Sequence, residues 1–277
     1  MKSKKILVTG GGGFIGLALV RELCRQGRNV RVLGRHRYSA AEAVGATCVQ
    51  GDIREPAAVH QAASGCDEVF HVAAKAGIWG ALKEYHSINV LGTRNVLAAC
   101  KKLGIQTLVY TSTPSVVFDG HHLEGVDESV PYSNQPICPY AATKIQAEKE
   151  VLQADGEHLR TAAIRPHLVW GPGDTNLIPR LMARGREQSL RIVGDGRNRV
   201  DIAYIDNVVH AHLLAAENLS TSGTAAGHAF FIGQKEPVEL WLWINALFAQ
   251  LDVPPVTAQV SLGKAKVAGW LLEKVSA

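Results

Sequence analysis

The feature that most restricts this chain is the run Thr9-Gly10-Gly11-Gly12-Gly13-Phe14-Ile15-Gly16. It lies between the apolar run Ile6-Leu7-Val8 and a segment in which Ile15, Leu19 and Leu23 recur every four residues, the spacing of a helix with one face on a sheet. The glycines therefore fall in a strand-to-helix turn. Gly10, Gly13 and Gly16 keep a G-x-x-G-x-x-G spacing, each removing a Cβ where a tight turn, an approaching pyrophosphate or helix-on-strand packing would clash. The helix that follows offers an anion its unpaired N–H groups and the positive end of its dipole.

Downstream, short strand patterns recur. Asn29-Val30-Arg31-Val32-Leu33 alternates polar and apolar, and Thr47-Cys48-Val49-Gln50, Glu68-Val69-Phe70-His71-Val72, Thr107-Leu108-Val109-Tyr110 and Thr161-Ala162-Ala163-Ile164-Arg165 follow it. Helical periodicity over 89–103 and 140–152 separates the later ones. Strands alternating with helices predict an α/β fold, a doubly wound parallel sheet with helices on both faces. Past Gly171-Pro172-Gly173 the texture changes to helices around 177–183, 207–217 and 239–251 with short strands near 191–193, 200–204 and 228–232. This predicts a dinucleotide-binding core with the catalytic residues over 1–170 and a smaller, mainly substrate-binding C-terminal lobe over 171–277. The lobe is expected at the carboxyl ends of the strands, where open α/β sheets bind ligands.

Composition removes several alternatives. Hydrophobic residues at 47% and charged ones at 19% exclude a disordered chain. A net charge of +4 with no Lys/Arg block argues against nucleic acid as a partner. Cys24, Cys48, Cys66, Cys100 and Cys138 are scattered, with no C-x-x-C pair, so neither a metal site nor a disulfide framework is expected and a reducing cytoplasm fits. Lys2, Lys4 and Lys5 precede an apolar run that stops at Val8, too short for a signal peptide, so the start reads as mature sequence. The apolar stretch over 240–251 contains Asn245 and Gln250 and is far below the ~20 residues of a membrane span. It reads as a buried or interface helix.

Tyr140 and Lys144 stand four apart on one predicted helix, so both side chains lie on the same face. A neighbouring ammonium favours phenolate and would bring a pKa near ~10 toward working pH. Such a tyrosine can exchange a proton with a carbonyl or alcohol oxygen while hydride moves to or from a nicotinamide. Without the glycine turn upstream, the same pair would read as a surface tyrosine packed on a lysine stem. The strand ending at Tyr110 runs into Thr111-Ser112-Thr113-Pro114-Ser115, hydroxyls that either stabilise charge on a substrate oxygen or satisfy a turn.

Taken in order, T-G-x-x-G-F-I-G, Gly51-Asp52-Ile53, His71-Val72-Ala73-Ala74, Asn89-Val90-x-Gly92-Thr93, Thr111-Ser112-Thr113, Tyr140-x-x-x-Lys144 and Arg165-Pro166-x-x-Val169-x-Gly171-Pro172-Gly173 resemble the extended short-chain dehydrogenases/reductases. The segments His71 to Gly80 and Tyr110 to Val117 look like the 3β-hydroxysteroid dehydrogenase group, and most like its bacterial 2-alkyl-3-oxoalkanoate reductases. The resemblance implies a Rossmann core with Tyr140 as proton donor and acceptor, Lys144 as its pKa partner and ribose ligand, and Thr113 as the catalytic hydroxyl. It implies that Gly10, Gly13 and Gly16 line the pyrophosphate turn, with Phe14 and Ile15 contacting the pyrophosphate through the backbone. Asp52 and Ile53 would meet the adenine, and Ala73, Ala74 and Lys75 the ribose side. Asn89 would fix the loop behind the nicotinamide, though a helix N-cap explains it equally, and Pro166 and His167 would line the other side. It also implies a homodimer through the helices at 89–103 and 140–154, where Ala98, Ala99, Ala141, Ala142 and Ala147 permit close approach.

Two departures sharpen the expectation. NAD-preferring relatives carry an acid after the second strand, where this chain has Gly34-Arg35-His36-Arg37; arginine suits a 2′-phosphate, so NADPH is expected over NAD, with Arg35 first and Arg37 second. Sugar-nucleotide members carry an arginine for the substrate diphosphate where this chain has Val200, and Arg199 points to the opposite face. A small apolar oxo or hydroxy substrate is therefore expected, with Trp79, Trp170, Trp241 and Trp243 offering apolar surface or ordinary core. The rivals are a sugar-nucleotide epimerase or dehydratase and a non-catalytic dinucleotide sensor. Family members continue past the point matching Ala277, so the C-terminus is expected to be shortened or altered.

Overall fold

The computed structural model describes residues 4–267 and 269. In chain order the elements of the first part are β1 (Lys5–Thr9), α1 (Phe14–Arg25), β2 (Asn29–Gly34), α2 (Ser39–Glu42), β3 (Thr47–Gln50), α3 (Pro56–Ala63), β4 (Glu68–His71), α4 (Leu82–Tyr85), α5 (Gly92–Leu103), β5 (Thr107–Thr111), α6 (Pro139–Gln153) and β6 (Arg160–Pro166). There follow β7 (Val169–Trp170), α7 (Leu177–Arg186), β8 (Ile192–Val193), β9 (Arg199–Val200), β10 (Ala203–Tyr204), α8 (Ile205–Ser220), β11 (His228–Ile232), β12 (Val238–Glu239), α9 (Leu240–Gln250) and β13 (Gln259–Val260).

Seven parallel strands form one sheet in the order β11-β6-β5-β4-β1-β2-β3. Every residue of β4 and β5 is buried, and so are four of the five in β1, because helices cover both faces of the sheet. That is why these strands read as continuous apolar runs while β2 retains alternation near its start. On one side, α3, α5 and α6 pack over Leu7, Leu33, Val69, Leu108 and Tyr110; on the other, α8 lies against β5 and β6 and beside α1.

The chain divides into two compact units, Met1–His167 with Ile205–Ile232, and Leu168–Tyr204 with Gly233–Ala277. The break falls at Leu168, whose φ of +38° puts a non-glycine residue in the left-handed region. This differs from a contiguous lobe starting at 171. The strand near 228–232 and the helix before it belong to the first unit, where β11 pairs in parallel with β6 from His228↔Ala162 to Ile232↔Pro166. Their short apolar patterns look the same whether they join a large sheet or a small one.

The second unit is built on two-stranded pairs and on α9, whose Ile244 and Phe248 pack with Val253, Val256, Leu181 and Trp241. Gly185 is required there, since a Cβ would lie 2.5 Å from the Phe248 ring. α9 is one-sided: Leu242 remains 65% exposed. The anticipated change at the extreme C-terminus lies outside the described residues.

Candidate active site

The glycine run forms the turn between β1 and α1. Gly10 has φ +71° and approaches the backbone of Ala73 so closely that a Cβ would sit 2.8 Å from its N and Cα. At Gly16 a Cβ would meet the Gly10 carbonyl oxygen at 2.2 Å. Gly13 is different: only the Gly10 oxygen lies near, at 3.4 Å, so no protein neighbour demands the missing side chain. It is the N-cap of α1, whose first turn, opening with Phe14 and Ile15, has no side-chain cap and no acidic residue. A cradle with open N–H groups and space at Gly13 fits a diphosphate.

Around this turn the residues expected to meet a dinucleotide divide into those with side chains at hand and those committed elsewhere. The Tyr38 ring is wedged against Gly12 and Gly34, where a Cβ would fall 2.1 and 2.4 Å from it. Arg37 is ion-paired with Glu42 at 2.6 Å, which weakens its expected part as a second anion ligand. Arg35 lies close enough to Asp52 to help hold that carboxyl below its usual range, although Arg54, at 2.6 Å, is the main cause. The Ile53 side chain is packed in the core against Gly92, leaving its backbone for any adenine contact. Ala73 N–H donates to Thr9 Oγ1 at 3.2 Å, Ala74 follows in the same irregular segment, and the Lys75 ammonium pairs with Glu84 at 3.1 Å.

Asn89 is no helix N-cap. It lies within a π-helical turn, His86–Leu91, where its Oδ1 accepts from Lys75 N–H at 2.7 Å and its Nδ2 donates to the Lys75 carbonyl and to Thr143 Oγ1, both at 3.1 Å. The side chain thus clamps the turn after β4 to the start of α6. Pro166 ends β6, and His167 N–H continues the ladder to the Ile232 carbonyl at 3.2 Å.

Tyr140 and Lys144 do share a face of α6, Lys144 buried and Tyr140 half-buried, but the expected electrostatics are reversed. Burial raises the Tyr140 phenol to about 12, opposed by the neighbouring Thr113 hydroxyl, and Lys144 does not act on it. The amine is held instead by β5: Lys144 Nζ donates to Tyr110 Oη at 2.6 Å and to the Thr111 carbonyl at 2.7 Å. Burial lowers its pKa to about 7, partly offset by Glu148. The Thr113 hydroxyl accepts from Ser115 N–H at 3.3 Å and donates to Ser115 Oγ at 3.2 Å, so it caps a turn beside Tyr140.

Sequence reasoning gave no role to several buried groups here. His71 contacts Thr9 and Thr93 hydroxyls at 2.7 and 2.9 Å. Thr111 Oγ1 meets His212 Nε2 at 2.7 Å. Arg165 forms a buried ion pair with Glu148 at 2.5 Å and lies against the Tyr132 and Phe231 rings, while Tyr132 donates to the same carboxylate at 2.7 Å. The available signal was the polar residues inside otherwise apolar strands. No metal-binding group of His, Cys, Asp and Glu exists among the described residues, and no described helix is long and apolar enough to cross a membrane.

In the second unit, Trp170 meets the Tyr204 and Trp243 rings edge-on at 5.2 and 5.3 Å. Arg199 is turned to the Pro237 carbonyl at 3.1 Å, while Val200 pairs across the ladder with Val238. Trp79, in the first unit, is 53% exposed.

Comparison with known proteins places this arrangement. The profile of the 3-beta hydroxysteroid dehydrogenase/isomerase family matches residues 7–262. The chain belongs to this family. Among the family's relatives, a 2-alkyl-3-oxoalkanoate reductase of Stenotrophomonas maltophilia (strain K279a) is 47% identical over 98% of this chain and 83% of its own length. A protein of the same name from Shewanella oneidensis is 45% identical over 98% of this chain and 72% of its own length. Among solved structures, MoeE5 in complex with UDP-glucose and NAD superposes with a TM-score of 0.77 at 28% identity, covering 93% of this chain and 85% of that one. As a member of the 3-beta hydroxysteroid dehydrogenase/isomerase family, the chain is an NAD(P)-dependent oxidoreductase.

Proposed function

We propose that the chain is an NADPH-dependent reductase that interconverts an apolar ketone and its secondary alcohol, with a 2-alkyl-3-oxoalkanoate or a 3-oxosteroid as substrate class. The observation that carries the reading is the Tyr140 phenol, its pKa raised by its surroundings and facing the Thr113 hydroxyl just past the end of β5, on the sheet edge that also carries the glycine turn after β1. A bound NADPH supplies the hydride. Tyr140, kept protonated by burial, donates its proton to the carbonyl oxygen, and the Thr113 hydroxyl stabilises the charge developing there. Lys144 supplies positive charge one helical turn away and donates to the ribose. Gly10, Gly13, Phe14, Ile15 and Gly16 seat the pyrophosphate; Arg35 takes the 2′-phosphate, with Arg37 diverted to Glu42. Asp52 and Ile53 face the adenine, Ala73, Ala74 and Lys75 the ribose, and Asn89, Pro166 and His167 bound the nicotinamide.

Val200 supports an apolar substrate over a sugar nucleotide, because a diphosphate facing it would lack a counter-charge, and Arg199 already serves Pro237. The chain acts in the cytoplasm as a homodimer through α5 and α6. Of the small residues on those helices Ala99, Ala141 and Ala147 are buried within the chain, which leaves Ala98 and Ala142 for the contact. The test is an NADPH-oxidation screen over apolar 3-oxo acids, ketosteroids and sugar nucleotides. Turnover confined to the apolar ketones is expected; turnover of a UDP-sugar would overturn the reading.

A further inference from the structure

We propose that Ile78, Trp79 and Leu82 form an alkyl-chain subsite beside Tyr140, the surface by which the chain selects ketones with a long alkyl arm. The inference rests on the reading of Tyr140 as proton donor to an apolar ketone, and it says where the arm of that ketone lies. The three side chains are 60%, 53% and 56% exposed and fall within one five-residue stretch, in the segment between β4 and the π-helical turn. Large apolar side chains exposed so close together make a patch, unlike the scattered exposure of an ordinary surface. The backbone beneath them is fixed. Gly77 and Gly80 have φ of +115° and +128°, conformations that only glycine adopts freely. The buried Tyr85 ring fills the inside of the bend, where a Cβ at Gly77 would lie 3.2 Å from its hydroxyl and one at Gly80 3.3 Å from its ring edge. The same hydroxyl donates to the Trp79 carbonyl at 2.9 Å. The Lys75 ammonium lies 5.1 Å from the centre of the Tyr85 ring and pairs with Glu84 at 3.1 Å, closing the base.

That base is tied to the reaction site by hydrogen bonds. Asn89 holds both main-chain groups of Lys75 and donates to Thr143 Oγ1 at 3.1 Å. Thr143 Oγ1 shares its own proton between the Pro139 and Tyr140 carbonyls, at 2.9 and 3.0 Å. In addition α4, which opens with Leu82, packs against α6, whose second residue is Tyr140. The surroundings of the patch favour a substrate arm over its other occupants. A membrane-binding segment sets several Lys or Arg beside its apolar residues, whereas the charges from 75 to 85 are Lys75, Lys83 and Glu84, and Glu84 neutralises Lys75. A second copy of the chain would have to cover ~800 Å² on each partner, more than three side chains supply. An alkyl arm needs only a strip one chain wide, and this strip is anchored to the backbone of the proton donor.

The test is calorimetric binding of 2-hexanone, 2-octanone and 2-decanone to the full chain in the presence of NADP+, with which a ketone cannot react. A fully buried methylene is worth about fourfold in affinity, and a strip that covers one side of the arm about twofold. Affinity should therefore rise about tenfold or more over the four methylenes from 2-hexanone to 2-decanone, and kcat/KM with NADPH should follow the same series. In the double variant Ile78→Ser, Trp79→Ser the rise should shrink to about twofold, and Leu82→Ser should reduce it in part. All three side chains are exposed, and the Trp79 carbonyl that Tyr85 holds survives the substitution, so the variants should fold. Leu214→Ser, at a half-exposed apolar position on α8, should keep the wild-type rise. A rise that persists in the double variant would overturn the proposal, and so would a wild-type chain whose affinity does not depend on chain length. Binding needs no turnover, so a wild-type chain that reduced none of the ketones would refute the functional reading while the calorimetric series still decided the subsite.

Discussion

Gly13 and Gly16 look equivalent in the sequence, yet the structure predicts that alanine at each will fail in a different way. At Gly16, itself buried, the new Cβ would lie 2.2 Å from the Gly10 carbonyl oxygen and 2.8 Å from its carbon, both backbone atoms. Overpacking of this kind costs about 1–3 kcal/mol, and at roughly 2–4 °C per kcal/mol for a large domain Tm should fall by about 2–12 °C. At Gly13 the nearest atom is 3.4 Å away and φ is −84°, a conformation open to alanine. Losing glycine as N-cap costs about 1 kcal/mol, and the stiffer unfolded chain returns about 0.4–1 kcal/mol, so Tm should hardly move. The methyl group would instead occupy the space meant for the pyrophosphate. Forfeiting even one charge-assisted hydrogen bond there is worth about 1.5–3 kcal/mol, a roughly 10- to 150-fold loss of NADPH affinity. Differential scanning fluorimetry and NADPH fluorescence titration on the two variants measure both quantities. Wild-type NADPH affinity in Gly13→Ala would refute the cradle, and an unchanged Tm in Gly16→Ala would refute the packing argument.

Tyr140→Phe should lower kcat by ~10²–10⁴ while NADPH affinity barely changes, because only the proton donor is removed; near wild-type turnover would withdraw Tyr140 from its role. Arg35→Ala should cost NADPH more than about tenfold in affinity and NADH little, whereas Arg37→Ala, already paired with Glu42, should change neither much; equal losses for both cofactors would defeat the assignment. Light scattering at micromolar concentration should give the mass of a dimer, and a monomer would remove that proposal. Stability should climb between pH 7 and 9, because Lys144 has a folded pKa of about 7 and the unfolded chain holds the extra proton over that interval; chemical denaturation should find the rise missing in Lys144→Met.

What could be read from the sequence depended on how local the cause was. The strands of the main sheet and the helices after Gly13 and Cys138 were legible because both faces of a parallel sheet demand apolar runs and the caps lie nearby in sequence. The membership of β11 was not, since pairing with Ala162 to Pro166 depends on residues more than sixty positions away. The π-helical turn at Asn89 was read as ordinary helix, because only 89–91 of its residues His86–Leu91 fall within the helix read at 89–103, too short a stretch to reveal a change of period. At the site, Tyr140 and Lys144 were visible as a pair four apart. Their electrostatics were not: Lys144 bonds Tyr110 and Thr111 across the sheet–helix interface, and no spacing rule along α6 reports on β5.

The shifts of these two groups share one cause and act in opposite directions. Burial disfavours charge, so it raises Tyr140 to about 12 and lowers Lys144 to about 7. Near neutrality the phenol is then fully protonated while the amine is close to half-protonated, a ground state suited to proton donation in the ketone-reducing direction. Proton transfer would create a phenolate in the same buried surroundings, and its cost falls only if positive charge is present in reach. A phenolate one helical turn from Lys144 would itself favour the ammonium, raising the amine's pKa as the proton leaves Tyr140. With Tyr140 as the proposed proton donor, the ionisation of Lys144 would be tied to the proton-transfer step, and the acceptors on β5 that hold this amine would become part of what sets the barrier.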